Sequence, residues 1–163
     1  MNGTRPSSPQ EGHGWAGAGS EVYLFGGSGG SNGQDGELLD ALWAFSTKNA
    51  SWAQLAAGPS SRHNSCFGSS GGLLYLLGGI SWDQDQYGGR DYNGHFWSYN
   101  PADNVWIQRT HNVTLEGSSP WPRYGGALLD VAGALLLVHG SPNGILLSLS
   151  PHLHLSLSLS LTL

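Results

Sequence analysis

The residues best suited to molecular recognition lie in a long polar loop at positions 80–94, between two apolar stretches. Four of its side chains are of the types that most often anchor protein interfaces: Trp82, Tyr87, Arg90 and Tyr92. Long loops in compact folds often carry function, although a solvated loop of this length is also tolerated without one. We therefore predict that this loop binds another protein, with a loop of no function as the alternative.

Two carboxylates in the same loop, Asp83 and Asp85, have the spacing that begins a calcium-binding loop. The match then fails, because Tyr87 occupies the fifth position and Gly94 the twelfth, where a calcium loop places oxygen ligands. The sequence therefore predicts no metal site here. Asp83 and Asp85 are instead included in the predicted binding surface.

Side chains for catalysis are sparse in this sequence. The single cysteine, Cys66, excludes an internal disulfide and a cysteine-based zinc site, and a small buried side chain is expected there. The seven histidines show no metal-ligand spacing, and the sequence contains no Ser-His-Asp arrangement, phosphate-binding loop or paired catalytic carboxylates. These observations predict a protein that is not an enzyme and needs no cofactor.

Four tryptophans recur at matched intervals, since nine residues separate Trp43 from Trp52 and nine separate Trp97 from Trp106. Burial of one such ring removes about 150–250 Å² from water, which makes these residues strong packing elements. A base-stacking role would require nearby basic residues, and the sequence has only six Lys plus Arg. The spacing therefore predicts packing between repeated units.

Two arginines also recur, each after a proline in a Pro-x-x-Arg segment. Arg62 lies 17 residues before Gly79 and Arg123 lies 17 residues before Gly140, whereas the first copy has Gln10 at the matching place. Either arginine could face a ligand, or pair with a carboxylate or carbonyl between units. Recurrence with the fold favours the structural role.

Strands must position these side chains, and the clearest is the run Leu73–Leu77, which ends in Gly78 and Gly79. Five apolar residues before two glycines predict a strand buried on both faces and ended by special backbone conformations. The same motif occurs earlier, before Gly26 and Gly27, and later at 134–140, where only the second glycine is retained. Three copies predict a repeat protein with four short strands in each full unit.

Together these motifs resemble a kelch repeat, which combines a strand ending in Gly-Gly, a later aromatic strand, a second tryptophan at fixed spacing and Pro-x-x-Arg. WD40 repeats are the alternative assignment, but their Gly-His and Trp-Asp signatures are missing from the required places. The resemblance implies one four-stranded antiparallel blade per unit. The predicted fold class is an all-β, partial kelch β-propeller whose ring is incomplete, with about two and a half repeats.

The predicted organisation follows the repeat boundaries. Beyond position 144 leucine and serine alternate, a pattern typical of translated simple sequence that could also form an amphipathic strand covering an open sheet edge. The predicted segments are a disordered N-terminus at 1–12, blade 1 at 13–58, blade 2 at 59–119, a partial blade 3 at 120–144 and the Leu/Ser tail at 145–163.

The charge of the chain bears on whether it binds nucleic acids or membranes. Net charge is -5 and the six basic residues are scattered, which predicts no nucleic-acid partner and no anionic membrane surface. No signal peptide or membrane-spanning run is visible, so a cytoplasmic location is favoured. An incomplete ring leaves blade edges open, which predicts self-association as well as binding to another protein.

The sequence as a whole predicts a non-catalytic interaction module, or a fragment of one, that binds a protein through inter-strand loops. Some kelch-like propellers are copper enzymes with a Cys–Tyr link, so the resemblance leaves a metal-dependent oxidase as an alternative. Its groups would come from Cys66 with Tyr75, Tyr124, His13 or His139. A truncated product without independent function is the third hypothesis.

Overall fold

The computed structural model describes residues 5–6, 10–29, 37–81, 91–92, 96–109, 125–138 and 147–149. Within these ranges the regular structure is entirely β, and no helix of the kind that spans a membrane occurs there. The strands form two four-stranded sheets, two three-stranded sheets and one two-stranded sheet, and one of the three-stranded sheets is built from strands of two residues. The predicted all-β fold class, with its four-stranded antiparallel sheets in an unclosed ring, is confirmed.

Sheet I is an antiparallel meander from the first repeated unit. Its strands are β2 (Gly14–Ala18), β3 (Glu21–Phe25), β6 (Leu42–Ser46) and β7 (Ser51–Gln54), which pair in that order. Phe25 pairs with both Gly14 and Leu42, and Trp52 pairs with Phe45. The register therefore places the second tryptophan of the repeat beside an aromatic residue.

Sheet II repeats this meander from the second unit. Its strands are β8 (Cys66–Ser70), β9 (Leu73–Leu77), β12 (Phe96–Asn100) and β13 (Val105–Arg109). Leu77 pairs with Cys66 and Phe96, and Trp106 pairs with Tyr99. The two registers superimpose position for position, so each residue of sheet I has a counterpart in sheet II.

Sheet III begins in the same way and then differs. Its strands are β14 (Ala127–Val131), β15 (Ala134–Val138) and β16 (Leu147–Leu149), all antiparallel. The third strand comes from the Leu/Ser tail, where Leu147 pairs with Leu137 and Leu149 with Leu135. The alternating tail thus supplies a strand at the edge that β15 would otherwise present.

Two small sheets lie where each Gly-Gly segment leaves its blade. Next to sheet I, β4 pairs with both β1 and β5, and next to sheet II, β10 pairs with β11. Their bounds are β1 (Gln10–Glu11), β4 (Ser28–Gly29), β5 (Glu37–Leu38), β10 (Ile80–Ser81) and β11 (Asp91–Tyr92).

The hydrophobic core lies between the sheets rather than within any one of them. One cluster joins sheet I to sheet II, with Phe25 and Tyr23 on one side and Phe67, Leu74 and Tyr99 on the other. A second cluster joins sheets II and III and contains Cys66, Tyr75, Leu77, Leu128, Leu135 and Leu137. Burial of apolar area therefore requires neighbouring repeats to stack, as expected for repeat architectures.

Candidate functional site

The candidate site is the end of sheets I and II at which the Gly-Gly segments turn into loops. Gly26 and Gly27 have φ values of 63° and 97°, and Gly78 and Gly79 have 66° and 96°. A β-carbon on Gly26 would lie 2.5 Å from the Arg62 carbonyl oxygen. The turn therefore needs glycine for its backbone conformation and also for close approach of the next repeat.

Each Gly-Gly turn opens into a short two-stranded stem that carries a loop. In sheet I the stem joins Ser28 to Leu38, and in sheet II it joins Ile80 to Tyr92. The Ile80 backbone also exchanges hydrogen bonds with His63, with N–O distances of 2.9 and 3.0 Å. Glu11 pairs with Ser28 in the corresponding way, so both loops leave from equivalent places at one end of the array.

Arg62 holds this end of sheet II together. Its side chain is only 1% exposed, and Nη1 donates to the Gly78 carbonyl oxygen at 2.9 Å. Nη2 donates to Ser60 Oγ. A buried guanidinium is tolerated when its N–H groups find acceptors, and those of Arg62 include the Gly78 and Ser60 carbonyls and the Ser60 hydroxyl.

The Arg62 backbone also connects the two repeats. Its carbonyl accepts from Gly27 N–H at 2.9 Å, and its N–H donates to the Leu39 carbonyl at 3.0 Å. The side chain thus fixes the turn of its own unit while the main chain fixes the turn of the preceding unit. These contacts favour the structural role over ligand binding for this arginine.

A second link between units is made by the residue that lies two positions before the first strand of each sheet, β2, β8 or β14. Asn64 N–H donates to the Gly12 carbonyl at 2.6 Å, and Gly125 N–H donates to the Asn64 carbonyl at 2.7 Å. All three residues have positive φ, at 66°, 53° and 71° in chain order. A short polar side chain such as that of Asn64 tolerates this conformation, which otherwise favours glycine.

An asparagine and a tryptophan of the second unit bind the segment that follows β7, the last strand of sheet I. Asn104 Oδ1 accepts from the Ala56 N–H at 2.9 Å and from the Tyr99 hydroxyl at 2.6 Å. Trp106 Nε1 donates to the Ala56 carbonyl at 3.3 Å. Burial, with a further contribution from Tyr23, raises the pKa of Tyr99 to about 12. Both backbone polar groups of Ala56, its N–H and its carbonyl, therefore bond to side chains of the second unit.

The tryptophans occupy the equivalent positions that their spacing indicates. Trp97 and Trp106 pack against the cluster between sheets I and II, and Trp106 lies 5.5 Å from Phe25 between ring centroids. Trp43 is buried, whereas Trp52 is partly buried and contacts Phe45 and Trp15 of its own sheet. These contacts agree with packing between units for the second pair.

The predicted binding loop lies mostly outside the described residues. The structure describes the backbone of its two ends, Ile80–Ser81 and Asp91–Tyr92, which form the stem. The following predicted residues lie outside the described residues, as does the side chain of Tyr92: Trp82, Asp83, Asp85, Tyr87, Arg90 and Arg123. Their assignment to a binding surface or to the repeat therefore stays a prediction.

Cysteine and metal-ligating side chains are the other candidates for chemistry. The Cys66 side chain is fully buried in the cluster between sheets II and III, together with Tyr75. Among the residues that the structure describes, no three His, Cys, Asp or Glu side chains are grouped so that they could hold a metal ion.

Several residues that join the units escape notice in the sequence. Asn64 and Asn104 look like ordinary loop residues, and nothing in their neighbourhood identifies Gly12 or Ala56 as partners. Aligning the units on Gly-Gly would have exposed one signal. Gly12, Asn64 and Gly125 then fall in register, and all are residue types that adopt positive φ.

Known proteins share this architecture. The solved structure of YjhT matches with a TM-score of 0.61 at 22% sequence identity, over 83% of this chain and 36% of that chain, which shows the fold alone. Alpha-scruin of Limulus polyphemus is 22% identical over 122 residues, which cover 70% of this chain and 13% of alpha-scruin. The chain therefore spans a small part of the length of this relative.

A match to a protein-family model supports assignment of the chain to a family, because the match covers almost the whole chain. The model of the KLHDC2/KLHL20/DRC7 Kelch-repeats domain matches residues 1–156. It agrees with the Gly-Gly turns, the paired tryptophans and the four-stranded sheets described above. The chain belongs to the kelch-repeat family.

Proposed function

We propose that the chain is a non-catalytic protein-interaction module that binds its partner through the loops at the Gly-Gly end of sheets I and II. The observation that carries the proposal is the pair of equivalent stems, since the short strands at which the two long loops begin and end lie at the same end of adjacent sheets. Loops displayed side by side on a rigid scaffold are a common arrangement for recognition.

The two loops differ in what they can contribute. The loop of sheet I is built largely from Gly and Ser, with few groups for recognition. The loop of sheet II carries the aromatic and charged residues Trp82, Tyr87, Arg90 and Tyr92, with Asp83 and Asp85 between them. We assign the main binding contacts to the loop of sheet II, because aromatic and arginine side chains dominate interface energetics.

The experiment uses a displayed library of random peptides as the probe, selected on the whole chain. A loop variant that replaces Trp82, Tyr87 and Tyr92 by Ser should bind the selected peptides at least about tenfold more weakly, since each anchor contributes more than about 1 kcal/mol. The matched control is Val105→Ser with Ile107→Ser, which removes exposed apolar side chains from the outer strand of sheet II.

Selected peptides that bind the loop variant and the wild type equally would contradict the proposal. Metal content of the purified chain separates it from the oxidase alternative, since stoichiometric copper or iron would favour an enzyme. Cooperative unfolding of the purified chain would count against a truncated product without independent structure, whereas broad unfolding with aggregation would support it.

A further inference from the structure

Each junction between sheets brings together two different kinds of face. The leading face of a sheet contacts the preceding sheet, and the trailing face contacts the following one. In the first junction, Phe67 and Tyr99 of the sheet II leading face meet Tyr23 and Phe25 of the sheet I trailing face. In the second, the sheet III leading face meets the sheet II trailing face in the same way.

One leading face lacks such a cover among the described residues. The registers identify Trp15, Val22, Phe45 and Trp52 as the sheet I counterparts of Phe67, Leu74, Tyr99 and Trp106. Trp15 is 50% exposed and Val22 and Phe45 are partly buried, although Leu24 and Trp43 of the same face are buried. This leading face carries no charged side chain on the strands that form it.

The sheet III trailing face is open as well. Leu129 and Val131 are 48% and 52% exposed, and Leu136 pairs with Leu129 on the same face. These positions correspond to Gly68, Ser70 and Tyr75, which belong to the covered trailing face of sheet II. The described array therefore presents one open leading face and one open trailing face, both apolar.

We propose that a second copy of this chain closes the ring, with the leading face of sheet I packed on the trailing face of sheet III of the other copy, and the reverse. This contact continues the kind of interface already present at both junctions. Sheets I to III of the described residues give six blade sheets in two copies, which lies within the range of about four to eight blades in closed propellers. Each copy then buries both open faces, as a closed head-to-tail ring requires.

The test measures the mass of the whole chain in solution by sedimentation over a dilution series. Wild type should have twice the monomer mass of 17.2 kDa. Trp15→Asp, on the leading face, and Leu129→Asp, on the trailing face, should each lose the dimer. Ile107→Asp is the matched control, since Ile107 is exposed on the outer strand of sheet II and should leave the dimer intact.

Mixing the two interface variants distinguishes head-to-tail closure from other pairings. A mixed dimer keeps one junction without any substitution, so equimolar Trp15→Asp and Leu129→Asp should recover a dimer that neither forms alone. Monomeric wild type overturns the proposal, whether the open faces are covered by another protein or by further repeats. Open-ended oligomers also overturn it. So does a dimer that is lost in Trp15→Asp but kept in Leu129→Asp, because that pattern indicates pairing of like faces.

Discussion

The leading faces of sheets I and II contain similar residues in the same register but differ in burial. Phe67 in sheet II is 5% exposed, whereas its counterpart Trp15 in sheet I is 50% exposed. Tyr99 is fully buried, whereas its counterpart Phe45 is only partly buried. At these two positions the residues of sheet I are at least as apolar, so their greater exposure arises from the absence of a preceding sheet among the described residues. At another position the order is reversed, since Trp43 is buried and its counterpart Trp97 is only partly buried.

The comparison shows that a kelch-type repeat position has no fixed burial of its own. Trp106 and Trp52 each lie beside an aromatic residue of the same sheet, at 5.0 and 5.1 Å between ring centroids. Only Trp106 also contacts Phe25 and the Ala56 carbonyl of the preceding repeat. The energetic value of the residue therefore depends on its neighbour, as in other arrays that stack repeats.

Removing Arg62 should give the largest effect, because it deletes a buried side-chain link to Gly78 and Ser60. We expect Arg62→Ala to lower the free energy of unfolding by about 3–4 kcal/mol, since the buried Gly78 carbonyl loses its donor and a cavity remains. Urea unfolding followed by tryptophan fluorescence measures the change.

Arg62→Lys serves as the control that retains the positive charge. An ammonium group lacks the planar fork that serves Gly78 and Ser60 together, so we expect partial loss. A change below about 1 kcal/mol for Arg62→Ala would show that the buried guanidinium contributes little to the junction.

The two equivalent tryptophans test the comparison directly. Trp106→Ala should cost about 3 kcal/mol, whereas Trp52→Ala should cost about 1 kcal/mol, because only Trp106 packs against another sheet. The measurement is chemical unfolding at a concentration where the chain is monomeric. Equal losses in the monomer would contradict the assignment of burial to the neighbouring repeat.

The smallest effect concerns Tyr99, whose counterpart in sheet I is Phe45. Burial raises the pKa of Tyr99 from 10.0 to about 12, so the unfolded chain releases this proton first. Stability from the neutral phenol is complete below about pH 10 and is lost as pH rises towards 12. We expect Tyr99→Phe to weaken this decline, at a cost of about 1 kcal/mol at neutral pH from the lost bond to Asn104.

Unfolding curves of wild type and Tyr99→Phe at neutral and alkaline pH measure the difference. The difference between the two proteins is the informative quantity, because it isolates the contribution of the Tyr99 hydroxyl. An identical alkaline decline in both would mean that Tyr99 is not the group responsible.

Much of the fold could be predicted from local patterns. The apolar run before Gly78 predicts a strand at Leu73–Leu77, and β9 has those bounds. The all-β class follows from the Gly-Gly copies and the tryptophan spacing, because these motifs mark strand ends and inter-strand packing. Such signals are readable because each lies within a few residues of the feature that it specifies.

The stems and links between units could not be predicted in the same way. Strands of two residues, such as Ile80–Ser81 and Asp91–Tyr92, are too short to show periodicity. The contact of Asn104 with Ala56 joins residues 48 positions apart, and no local motif encodes its partner. The proposed recognition role of the loop depends on a partner, and the sequence supplies only the types of residue that would contact it.

The backbone hydrogen bonds from Gly12 through Asn64 to Gly125 give the array a polarity. The middle unit accepts at the Asn64 carbonyl from the following unit and donates at the Asn64 N–H to the preceding one, so the described series has a donor end and an acceptor end. These bonds use main-chain atoms alone and require only a residue that tolerates positive φ. Units of very different side-chain composition can therefore be joined in one direction through the same main-chain link.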